Sequence, residues 1–176
     1  KKIILAIGIL LVFQFSSAQT EISGVTPAKT IEVNSTTLNF NGASLREKFF
    51  LYLYVGALYS TTKTNDSKVV IDKDESMAIT LDIVSSLITS EKMLTAIDEG
   101  FDNSTNQNTN PFTAKIALFK SSFKEEINIG DHYVIAFIKD SGTEIHKNGK
   151  KITTIPGLDF KKVLFEIWFC DEPADK

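Results

Sequence analysis

Asn41-Gly-Ala-Ser-Leu-Arg-Glu-Lys-Phe-Phe-Leu-Tyr-Leu-Tyr-Val-Gly-Ala-Leu-Tyr59 is the stretch on which the fold turns. From Leu45 onward it is rich in aromatic side chains, which favour a pleated surface over a helix. Its odd positions Phe49, Leu51, Leu53, Val55 and Ala57 are all apolar, the period-two pattern of a strand with one face in a core. The even positions Arg46, Lys48, Phe50, Tyr52 and Tyr54 mix charge with aromatic rings. The pattern predicts one long strand, Leu45–Tyr59, with Arg46, Tyr52 and Tyr54 on the same side. Arg46 is the single arginine among 19 basic residues. Its planar fork matches a carboxylate in a way a lysine does not. A guanidinium and two phenols in an apolar cleft would suit a carboxylate or phenolate with a hydrophobic body. The ordinary alternative is a surface arginine beside two half-buried tyrosines, and periodicity alone favours that alternative.

Outward from this stretch the chain alternates strand and helix signals. On the N-terminal side, Ile31–Val33 and Thr36–Phe40 are short β-prone pieces joined by an Asn34-Ser35 turn, a small hairpin. On the other side, Ser67–Asp72 reads as a helical turn and Ala78–Val84 as a strand. A helix then starts at a Thr89 or Ser90 cap with Glu91 in its first turn. Met93, Leu94, Ile97 and Phe101 form its apolar stripe. A polar run, 103–110, leads to a second helix over Thr113–Phe123 with Ile116, Phe119 and Phe123 inward. His132–Lys139, Thr143–Lys147 and Ile152–Ile155 follow as a meander. Leu158–Phe169 is a strongly apolar terminal helix. This order predicts an α+β domain, an antiparallel sheet with helices packed on one face.

Lys1 and Lys2, the apolar run Ile3–Phe15 and the small residues Ser16-Ser17-Ala18 have the three parts of a secretory signal. The expectation is a signal peptide over 1–18 and one domain over 19–176, exported to the periplasm or the outside, with no membrane span after cleavage. A formal net charge of −3 argues against nucleic acid, whose binders carry a clustered basic face. Lys147, Lys150 and Lys151 flank Asn148-Gly149 and read as a solvated hairpin turn. The single cysteine, Cys170, sits among Phe165, Trp168 and Phe169 and reads as buried and inert. His132 and His146 have no ligand spacing, so neither a metal nor a cofactor is expected.

Further pieces of the chain fall into a pattern with the opening stretch. They are Ser90-Glu-Lys-Met93 with Glu99-Gly-Phe101, Gly130-Asp131, Lys147-Asn-Gly149, Ile155-Pro-Gly157 with Asp159-Phe160, and Ile167-Trp168 through Asp171-Glu-Pro173. In this order, and over about Asn39 to Asp175, they resemble the bacterial chalcone isomerase-like family. The resemblance implies a chalcone-isomerase-type antiparallel sheet with helices on one face and a cleft for a small hydrophobic molecule. In plant chalcone isomerases an arginine stabilises the phenolate that attacks an enone. In the related fatty-acid-binding plant proteins an arginine and a tyrosine hold the lipid carboxylate. Carried over, Arg46 takes the arginine's place and Tyr54 the tyrosine's. The leading expectation is a non-catalytic binder of a small hydrophobic or carboxylate ligand, with Arg46, Tyr52 and Tyr54 as contacts. The alternatives are an intramolecular lyase with Arg46 and Tyr54 catalytic, and a cell-envelope interaction protein with a vestigial cleft. The sequence does not set the oligomeric state.

Overall fold

The stretch expected as one strand is two. In the computed structural model, which describes residues 21–48 and 51–169, β2 spans Thr36–Lys48 and β3 spans Leu51–Ser60. They pair antiparallel along their length. The period-two pattern runs unbroken through the hairpin because no Gly, Asn, Asp or Pro punctuates it. The remaining strands are β1 (Thr30–Val33), β4 (Met77–Ile83), β5 (His132–Ile138), β6 (Gly142–Lys147) and β7 (Lys150–Ile155). They form one sheet in sequence order, β1 to β7, each pair antiparallel. The helices are α1 (Ser67–Asp72), α2 (Ser90–Ser104), α3 (Thr113–Ser121) and α4 (Leu158–Phe169).

Turns and caps follow the chemistry of their residues. Asn34 and Ser35 both take positive φ, as do Asn148 and Gly149, the conformation a two-residue hairpin turn requires. Thr89 caps α2, its Oγ1 accepting from the Lys92 amide at 3.3 Å.

One face of the sheet carries Leu58, Ile79, Ile135 and Ile145 as successive cross-strand partners. Against them pack Phe101 of α2, Phe119 of α3, Phe123, and Phe160, Leu164 and Phe165 of α4. The rings interlock: Phe101 stacks on Phe160 at 5.7 Å, and Phe119 meets Phe101 edge-on at 5.8 Å. The helices thus lie on one face, as the α+β reading expects.

The opposite face carries Tyr59, Ala78, Ala136 and Glu144 in register. Two alanines leave room there for Val33 and Leu38 of the first hairpin. Asn34, in the β1–β2 turn, donates to Glu144 Oε1 on β6 at 2.7 Å. Strands so far apart in sheet order can meet only if the sheet curls over its own face.

Lys147 is not the solvated lysine its sequence context suggests. Its side chain is 14% exposed and pairs with Asp131 Oδ2 at 2.9 Å, because Asp131 lies on the tight turn into β5 beside it. The segment 1–18 expected to be a signal peptide, Phe49 with Phe50, and Cys170 with Asp171–Pro173 lie outside the described residues.

Candidate functional site

Arg46 on β2 lies directly opposite Tyr54 on β3. Directly opposed residues of an antiparallel pair share a face. The two therefore come together as cross-strand partners, not as alternate residues of one strand. The register then slips: Glu47 is opposite Tyr52, and Leu53 is the extra residue of a bulge. Leu53 and Tyr54 both pack against the helix-side core. The slip puts Tyr52 on the other side, where it is 54% exposed. The expected trio is thus a pair, and Tyr52 does not share the face of Arg46.

A third residue completes the group from the far end of the chain. Trp168, near the end of α4, donates its indole N–H to the Tyr54 hydroxyl at 3.1 Å. Burial pushes the Tyr54 phenol above its ordinary value; the Trp168 bond and the positive charge of Arg46 pull the other way without cancelling it. At neutral pH the phenol keeps its proton. A protonated phenol and a guanidinium, beside an indole, form a donor-rich patch suited to an oxygen that accepts.

Other chemistry-bearing side chains lie elsewhere. His132 Nδ1 is 2.7 Å from Asp82 Oδ1, and His146 Nε2 is 3.1 Å from Glu144 Oε2. Among the described residues no three His, Cys, Asp or Glu converge as a metal site, and no helix is long and apolar enough to cross a membrane. A hollow of about 780 Å³ opens between the start of α2 and the segment before β5, lined by Ile88, Ser90, Lys124 and Ile127 among others. It touches none of Arg46, Tyr54 and Trp168.

The sequence profile of the chalcone isomerase-like family matches residues 19–176. The chain belongs to that family. Among solved structures, an Arabidopsis thaliana fatty-acid binding protein superposes with a TM-score of 0.68, at 14% identity, over 87% of this chain and 88% of that one. No curated protein matches the sequence.

The family pieces recognised in the sequence now divide into staples and site. Asp131, after Gly130, accepts from the Asn128 amide, from Asn148 Nδ2 at 2.8 Å and from Lys147. Two motifs 16 residues apart, counted from His132 N to its acceptor Asn148 Oδ1, thereby lock one end of the sheet. Gly157 has φ +103, and a Cβ there would run into Asp159, which pairs with Lys115 of α3 at 2.8 Å. Gly100 lets α2 approach α4: a Cβ would stand 3.0 Å from Ile167. Ser90 Oγ donates to the Phe123 carbonyl at 2.5 Å. Among the described pieces, those around Arg46, Tyr54 and Trp168 are the ones that converge as a donor group. Trp168 was visible in the sequence as the lone tryptophan of a family piece, but its partner lies 114 residues away.

Proposed function

We propose that this chalcone isomerase-like protein is a non-catalytic binder of a small amphiphile with an acidic head, such as a fatty acid. Arg46 and Tyr54 would meet the head group, and the apolar surroundings of β3 and α4 its body. The observation that carries the reading is the cross-strand pairing of Arg46 with Tyr54, whose phenol stays protonated. Both groups then offer hydrogens to one anionic oxygen pair, the arrangement a carboxylate fits best. The likeness in fold to a protein described as fatty-acid binding supports the same class.

Native mass spectrometry of the purified protein and of Arg46→Ala tests it. Co-purifying or added fatty acid should be retained by the first and largely lost from the second; equal retention rejects the proposal. Cyclisation of a chalcone above its rate in buffer, followed by absorbance, would instead favour the intramolecular lyase. The proposed setting is outside the cytoplasm. It is supported by the three-part signal pattern of residues 1–18 and a family match that begins at residue 19. N-terminal sequencing of the protein from culture fractions checks it.

A further inference from the structure

The hydrogen bond between Trp168 and Tyr54 has only one possible direction. An indole nitrogen donates and cannot accept, so the phenol oxygen is the acceptor at 3.1 Å. With one lone pair of that oxygen engaged, the hydroxyl hydrogen is the stronger interaction Tyr54 has left to offer. Arg46, its cross-strand partner, has donors and no acceptor. The indole therefore biases an ambivalent phenol toward donating, beside a guanidinium.

Resting on the ligand-binding reading above, we propose that Trp168 is a positioning residue: by donating to the Tyr54 oxygen it commits the phenol hydrogen to the ligand and makes the site selective for head groups that only accept. A carboxylate satisfies both donors. An alcohol accepts more weakly and carries no charge to meet that of Arg46. An ammonium satisfies none and meets the charge of Arg46. Sites built from fixed hydrogen-bond partners discriminate strongly against a mismatched polar group, because the site's own groups are left unpaired. Burial, which keeps the phenol protonated, supports the same direction. The place of the residue is defended as well, since Gly100 admits Ile167, the neighbour of Trp168, into close contact with α2.

Trp168 is the only tryptophan in the chain, so its indole N–H gives a single NMR resonance. In the wild-type protein that resonance should move on adding dodecanoate and stay within its free-state position on adding dodecanol. Calorimetric affinities for the two probes give the preference for acid over alcohol. Trp168→Phe should lower that preference about tenfold, the scale of one hydrogen bond. Tyr54→Phe should lower it at least as much, and the double variant no further than Tyr54→Phe alone. Losses that multiply in the double variant overturn the proposal, as does Trp168→Phe keeping the wild-type preference. So does an indole resonance indifferent to dodecanoate, a result that needs no variant to fold. If the wild type binds neither probe, the ligand-binding reading itself falls. If it binds both equally, that reading survives as apolar binding and the positioning role of Trp168 is rejected.

Discussion

Lys161 lies wholly inside the protein, at 0% exposure. Its ammonium donates to the carbonyls of Val70, Ile71 and Lys73 at 2.5, 2.8 and 3.0 Å, closing the end of α1. The rings of Phe137 and Phe165 flank it at 5.7 and 5.0 Å. Burial pushes it down to about 8, against about 10.4 in an unfolded chain. Between those values the unfolded state holds more protons, so stability rises with pH. Tyr59 works in the opposite sense. Burial and the nearby Asp82 push its phenol up to about 12, so above about pH 10 the unfolded chain ionises first and stability falls. Urea midpoints measured from pH 7 to 11 should climb from about pH 8 and turn down above about 10. Lys161→Met should remove the climb and leave the descent. A midpoint that is flat across pH 8–10 in the wild type would contradict this assignment.

At the scale of elements, helices were more legible than the central hairpin. The α4 span Leu158–Phe169 and a start of α2 at Thr89 or Ser90 could be read directly, because caps and helical stripes depend on residues within a few positions of one another; the structure makes Thr89 the cap. The β2–β3 hairpin could not, because its tip falls within an apolar run and both arms share one alternation. Likewise, the bulge at Leu53 leaves no mark in the sequence, yet it decides that Tyr52 leaves the site. The contact of α2 with α4 depends on the missing side chain at Gly100. Gly100→Val should push α4 outward and lower stability by about 1–3 kcal/mol. Thermal unfolding would show the loss, and a shift in the emission of the single tryptophan would show that Trp168 moved with the helix. Unchanged emission and stability would mean that Ile167 alone yields to the added methyls.

At the scale of the whole sheet, a buried carboxylate ties the first hairpin to β6, beside the apolar contacts of Val33 and Leu38. Glu144, 1% exposed, receives Asn34 from the first hairpin, His146 and Lys151. Burial alone would raise its carboxyl; the bonds from Lys151, Asn34 and His146 outweigh that and hold it below the usual range. Such a group stabilises the fold above its unfolded value and loses that contribution as pH falls through its folded one. Asn34→Ala should lower stability by about 1–2 kcal/mol and speed hydrogen exchange in β1 more than in β5. Exchange rising equally in both strands would show that the bond does not anchor the hairpin locally. By itself the sequence determined the α+β class, the presence and starts of the helices and the meander, since each is written in near-neighbour pattern or residue type; α2 runs on to Ser104, into the polar run read as loop, and α3 stops at Ser121. Only the tertiary structure decided that Arg46 meets Tyr54 across a hairpin, that Tyr52 faces elsewhere, and that Trp168 completes the group. Those are matters of register, bulge and curl, set by how distant segments pack, and no local pattern of side chains encodes them.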